Sequence, residues 1–321
     1  MSATTKGWIA AIFVGLLWGI PWIVGTPLLE KMDPQVLVWL RYTVAFTTLG
    51  IIFNVGLATG QMQKTAKFEL SWANRNDIFW AAACGIVGQA AFSYLSFLSL
   101  DYITASENGV IQGLIPILIL SVGALRHGER FTMIQIMAAL FAFLGVAIIV
   151  FDPHSETSGF NIGHLICFLS AASFASTAYA RKKLADKYGA VPTMFHQFVF
   201  ASLGFGAFLL FSGADFAPAL QAFTSPIRLG AIFILGVFIS GISYLIYIYA
   251  MNRVGVDGTG MALNLMPLSS FILAIFLLGE AVTVWRVVAI AVVIGAMTVF
   301  VKYADKGEEK PAANVVPQPA E

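Results

Sequence analysis

Apolar residues along this 321-residue chain come in long blocks. Ten such stretches lie near residues 8–28, 34–57, 78–100, 103–125, 132–151, 162–180, 191–212, 229–251, 258–278 and 284–301. A helix needs about 20 apolar residues to cross the hydrocarbon core of a bilayer. The pattern predicts an all-α membrane protein with ten transmembrane helices. The short alternating segments of a membrane β-barrel are absent from the sequence. Lys6 stands before the first block, as in a secretory signal. That block is about span length and more follow, so it reads as an uncleaved first span.

The connections between blocks carry the charge. With the N-terminus inside, fourteen of the eighteen Lys and Arg residues fall on the inner side, three fall outside, and Arg41 lies within a span. The inner set includes Arg126, Arg130, Arg253 and the run Arg181, Lys182, Lys183 and Lys187. Positive charge collects on the cytoplasmic side, so both termini are expected there. An even span count agrees. The segment 304–321 is rich in Pro, Ala, Glu and Lys, and is expected to be a disordered cytoplasmic tail. No connection is long enough to be a catalytic domain.

Composition agrees with the pattern. Hydrophobic residues make up 59% and charged residues 11%, against about 25% charged in an average soluble domain. A net charge of +1 gives no basic field for nucleic acid. Cys84 and Cys167 both sit in apolar segments, so neither a disulfide framework nor a metal centre is expected. No phosphate-binding G-x4-G-K loop occurs, so no ATP-driven step is expected within this chain, and no H-E-x-x-H motif marks a zinc protease. No catalytic residue and no cofactor is assigned.

The chain repeats itself. Gly109, Pro116, Gly128, Glu129 and Thr132 recur 151 residues later as Gly260, Pro267, Gly279, Glu280 and Thr283. Ser93-Tyr94 has a looser echo in Ser243-Tyr244. The units are residues 1–151 and 152–303, each with five spans. An odd number of spans makes the second unit enter from the opposite side, so the halves form inverted repeats. Secondary transporters are often built this way, with the substrate site near the midplane between the repeats.

Trp18-Gly19 in the first span, Arg41-Tyr42 in the second and the doubled Pro…Gly-Glu signature resemble the drug/metabolite transporter superfamily, in particular its EamA-type ten-helix members. The resemblance covers roughly residues 8–302. It implies a carrier of small metabolites, often an exporter of amino acids or their derivatives, in the inner (plasma) membrane. The second half departs from the pattern. Its first span, around Ala171 to Ala175, lacks the Trp-Gly pair, and its second lacks an Arg matching Arg41.

Candidate site residues are polar or aromatic groups within spans. Arg41 lies seven residues past Pro34, and a guanidinium there either grips a substrate carboxylate or phosphate or serves a structural partner. Trp18 and Trp22 are either an aromatic wall or packing against Gly15 and Gly19. Gln89, Ser93 and Tyr94 in span three, Asn108 and Gln112 in span four, Ser240, Tyr244 and Tyr247 in span eight, and Asn264 in span nine are either cavity lining or interhelical glue. Glu107 is a coupling carboxylate or a helix cap. His196 is a proton relay or a packing residue. Glu129 and Glu280 read as turn and cap chemistry. The expected partners are a small-molecule substrate and the lipid bilayer, with a homodimer left open. An organic-anion or sugar-phosphate exchanger is the second reading. A non-transport membrane enzyme or structural protein is the third.

Overall fold

The computed structural model describes residues 2–59, 74–127, 132–155, 159–217, 221 and 223–303. The expectations for the tail 304–321 and for Gly128, Glu129 and Arg130 lie outside the described residues. Among the described residues the regular structure is helical throughout.

Among the described residues eight helices are long and apolar enough to cross a membrane. They are α1 (Ala3–Leu29), α2 (Pro34–Val55), α3 (Arg75–Ser99), α4 (Ala105–Leu125), α5 (Met133–Val150), α6 (Ile162–Tyr188), α7 (Ala190–Ser212) and α8 (Pro226–Gly255). Two shorter apolar helices follow, α9 (Met266–Leu278) and α10 (Val284–Phe300). The ninth apolar block is shortened for a physical reason. The helix running on from α8 kinks at Gly255 (φ 77°, ψ 174°), ends at Leu263, and is broken at Asn264 and Leu265 before α9 begins.

Breaks recur at matching places in the two halves. α1 is interrupted at Trp18 and Gly19, and α6 at Thr177. α4 is interrupted at Gly113 and Leu114, matching the break before α9. Pro21, Pro116 and Pro267 each stand at the second position after a break. A ring without an N–H suits the first turn of a new helical piece and cannot continue an old one. The break in α6 has no proline. There Ser173, Ser176 and Thr177 donate their hydroxyls to the carbonyls of Ser170, Ser173 and Phe174. α3 and α8 carry π-helical segments, Ile86–Ala91 and Ile234–Ile242. Interrupted helices survive in a membrane only where protein or water satisfies the freed backbone groups.

The halves interlock. α1 packs along 243–263, as α6 packs against the second part of α3. α2 packs on α7, and α5 packs on α10. Small residues permit the closest approaches. A Cβ at Gly15 would overlap the Ala262 carbonyl, and one at Gly19 would overlap Ser269 Oγ.

A polar knot ties the turns that adjoin the starts of α4 and α10. Glu280 Oε1 accepts the backbone N–H groups of Ala105 (3.0 Å) and Ser106 (3.4 Å), capping a helix of the other half. Its Oε2 accepts from Arg286 Nη1 at 2.9 Å. Thr283 Oγ1 donates to Asp152 Oδ2 at 2.6 Å. Burial would raise the Asp152 carboxyl, but the hydrogen bonds from Thr283 and His154, with Arg286 beside it, hold it below the ordinary value.

Two predictions follow from this packing. A group whose folded pKa is lowered stabilises the fold above the unfolded value and loses that contribution as pH falls through the folded one. The unfolding midpoint of wild type should therefore drop below about pH 4, and Asp152→Asn should show a smaller drop. A pH series of thermal melts measures both. Gly19→Leu should lower the midpoint at every pH, because the α1 backbone must back away from Ser269 and Ser270.

Candidate functional site

Arg41 sits between the two halves. Its side chain is buried, with Nε donating to Ser240 Oγ on α8 at 2.6 Å and Nη1 to Ser93 Oγ on α3 at 3.3 Å. The guanidinium carbon stands 5.4 Å from the centroid of the Tyr42 ring and 5.9 Å from that of Phe97. Among the described residues no carboxylate comes within 4.0 Å of it. Two hydrogen bonds use two of its five N–H donors. Both serines have other partners. Ser240 donates to the Leu235 carbonyl, and Ser93 bonds the Tyr42 hydroxyl at 2.6 Å. The π-helical segment of α8 places Ser240, and that of α3 ends just before Ser93. Such bulges turn side chains that a regular helix would aim elsewhere.

A cavity of about 20 Å³ lies beside Arg41. It is lined by Trp18, Pro21 and Trp22 of α1, Arg41 of α2, Phe92, Ser93, Ser96 and Phe97 of α3, Ile239 and Tyr244 of α8, and Met266 of α9. Both halves contribute. A space of this size holds about one water molecule, whereas small-molecule pockets run to about 300–1,000 Å³. Admitting a metabolite therefore requires its walls to part.

The aromatic wall is continuous. Trp18 lies 4.7 Å from Tyr244 and 4.9 Å from Tyr247, ring centre to ring centre, and meets Phe174 edge-on at 5.8 Å. Trp18 Nε1 donates to Ser243 Oγ at 2.8 Å. Trp22 Nε1 donates to Ser96 Oγ at 2.6 Å. The first helix uses two faces here. Gly15 and Gly19 pack against 262–270, while Trp18, Pro21 and Trp22 face the cavity.

Several amides stand behind the wall. Asn108 Nδ2 donates to the Ser96 carbonyl (2.9 Å) and to Ser99 Oγ (2.8 Å). Gln112 Nε2 reaches Ser96 Oγ (3.2 Å) and Ser170 Oγ (3.0 Å). This network joins α1, α3, α4 and α6, and it fixes Ser96 and Trp22 from outside the cavity. Gln89 is buried, with its carbonyl accepting from the Tyr42 hydroxyl at 2.9 Å. Asn264 is buried at the break before α9, and neither of its amide atoms has a partner among the described residues.

Three sequence candidates lie elsewhere. Tyr94 turns away from the cavity to pack on Phe205 and Phe208 of α7. Glu107 forms a capping box with Thr104 at the start of α4 and accepts from Ser155 Oγ at 3.0 Å. His196 is half-buried on α7, with Nδ1 3.0 Å from the Pro192 carbonyl. Sequence reasoning did not single out Ser96, Phe97, Phe92, Ile239 or Met266. Helical phase exposes the first, since Gln89, Ser93 and Ser96 share one face of α3.

Comparison with known proteins follows the same lines. A family profile described as "EamA-like transporter family" matches residues 5–151 and again 161–302. An "Uncharacterized transporter" of Archaeoglobus fulgidus is 24% identical over 298 residues, covering 92% of this chain and 99% of its own. The "Uncharacterized inner membrane transporter YicL" of Salmonella typhimurium is 25% identical over 288 residues, covering 88% of this chain and 91% of its own. A crystal structure aligns over 97% of this chain and 99% of its own, with a TM-score of 0.66 and 19% identity, which is a likeness of fold. The apolar helices and these relatives make the chain a multi-pass membrane protein.

The geometry around Arg41 generates a prediction with an unusual sign. Arg41→Met removes a buried charge that no carboxylate among the described residues compensates within 4.0 Å, and it leaves both serines with partners. The unfolding midpoint of the ligand-free variant should match or exceed that of wild type, because an apolar side chain of similar length avoids the desolvation penalty. A thermal melt in detergent checks it. A structural guanidinium would instead show a clear loss.

Proposed function

The chain belongs to the EamA-like transporter family, and on that premise we propose that it is a secondary transporter for a small organic metabolite. Its ten apolar blocks would form two inverted five-helix repeats, with both termini cytoplasmic by the positive-inside count. The cell inner membrane is the location this reading calls for. The cavity between the halves would open alternately to either side as one half rocks against the other. The matched breaks in α1 and α6, and in α4 and before α9, supply joints for that motion.

The observation that carries the reading is Arg41, held between Ser93 of one half and Ser240 of the other. A guanidinium with spare donors and no carboxylate beside it among the described residues suits the carboxylate of a cargo. The faces of Trp18 and Tyr244, which line the cavity, suit an ammonium group or an apolar side chain. An amino acid or derivative, moved outward, combines the two. A second reading is an organic-anion or sugar-phosphate exchanger. In its favour, no carboxylate is among the residues lining the cavity to hold an ammonium group.

A thermal-unfolding screen of the purified protein tests both readings. The ligands are amino acids, organic acids, sugar phosphates and quaternary amines, with Arg41→Gln alongside. A ligand present at 100 times its Kd stabilises the native state by about 2.7 kcal/mol. A carboxylate-bearing ligand should raise the wild-type midpoint and leave the variant unmoved. Equal responses in both proteins would overturn the anionic contact at Arg41. Reconstituted into sealed vesicles, an exporter moves the cargo without a counter-substrate, whereas an exchanger requires one inside.

A further inference from the structure

A second cation is buried in the second half of the chain. Arg181 lies in the part of α6 that follows the break at Thr177, and it is fully enclosed. The basic run at 181–187 reads in sequence as a cytoplasmic fringe, and the structure divides it. Lys182 pairs with Asp186 and Lys187 with the buried Asp77, both lysines partly exposed, whereas Arg181 turns inward. Its Nε donates to Gln197 Oε1 on α7 at 3.3 Å, and its Nη2 to Thr177 Oγ1 at 3.1 Å. Its guanidinium lies 4.4 Å from the centroid of Phe174. Among the described residues no carboxylate comes within 4.0 Å of it.

Two buried donors are left over here. Arg181 Nη1 and Gln197 Nε2 have no acceptor among the described residues. On α3, Gly88 exists as glycine for a reason of space. A Cβ at Gly88 would overlap Thr177 Oγ1 and lie 3.0 Å from Arg181 Nη2. Buried donors are costly to leave unmet, and natural interiors hold few of them. Unmet donors on a guanidinium and on the amide bonded to it match the lone pairs of an oxyanion.

The two arginines are placed in series. Arg41 lies seven residues from the Pro34 end of α2, and Arg181 seven residues from the Tyr188 end of α6. At 1.5 Å per residue each is about 10 Å along its helix from that end. Helices alternate in direction, so the start of α2 and the end of α6 belong to opposite faces. We propose that Arg181 and Gln197 form a second oxyanion-binding station, which takes the anionic group of the cargo on the side of the protein opposite to Arg41. The station rests on the carrier reading, with Arg41 as the first contact. It opens when α6 and α7 part, and the break at Thr177 is the joint. A carboxylate and a phosphate share the required chemistry.

The test uses full-length protein in detergent, with succinate and inorganic phosphate as probes and the unfolding midpoint as readout. Wild type, Arg41→Gln, Arg181→Gln and Gln197→Met are titrated in parallel. Arg181→Gln should raise the apparent Kd of the responding probe about tenfold or more. Gln197→Met removes the amide donor and should weaken the probe by several-fold. It also serves if Arg181→Gln does not fold. Response to succinate or to phosphate identifies the oxyanion. The second station is overturned if both α6 and α7 variants keep the wild-type Kd, or if wild type answers neither probe. If only Arg41→Gln then loses the response, the carrier reading stands without the station. If Arg41→Gln also responds as wild type, the anionic contact at Arg41 fails as well.

Discussion

A charge enclosed in a protein that is itself surrounded by hydrocarbon has to be met from within. Arg41 is the point on which this constraint bears hardest. Its side chain is buried, no carboxylate among the described residues lies within 4.0 Å, and the guanidinium is met by two serine hydroxyls and two aromatic faces. Each of those partners comes from a different local solution to the same problem. Ser240 is presented by a helix that relaxes into a π-helical segment, and Ser93 stands just after another. Phe97 approaches because Gly25 leaves room, a Cβ there lying 2.7 Å from the Phe97 ring. The broken helices and the small-residue faces follow from bringing polar groups together without exposing backbone to lipid.

Much of this was legible in the sequence. The spans could be read because a bilayer permits few alternatives to an apolar helix, and the breaks at Gly113 and Asn264 were signalled by Pro116 and Pro267. Arg41 stood out as a lone charge within a span. The failures have physical causes too. Arg181 was hidden by Lys182 and Lys183, since a basic run at a span end has the composition of a surface fringe. Only helical phase separates it, placing Arg181 on the face of Thr177 and Phe174. The break at Thr177 carries no proline, and serine and threonine give little warning. Tyr94 shares a dipeptide with Ser93, but adjacent residues on a helix point about 100° apart, and it faces α7 instead.

The amides show why polar groups in a membrane protein resist assignment from sequence. Asn108 and Gln112 were expected either to line a cavity or to hold helices together. They do the second in a way that serves the first, since the groups they fix are Ser96 and, through it, the Trp22 indole at the cavity wall. The distinction between structural and functional residues is one of layer rather than of kind.

Glu280 carries a consequence for how the protein is made. Its carboxylate caps the first turn of α4, 175 residues earlier in the chain. At about 5–20 residues per second, that carboxylate leaves the ribosome roughly 9–35 s after Ala105 does. During that interval the start of α4 must draw its hydrogen bonds from headgroups or water. Each half is thus a unit of descent without being a unit of assembly. The start of α4 is among the last parts of the first half to reach its final partners.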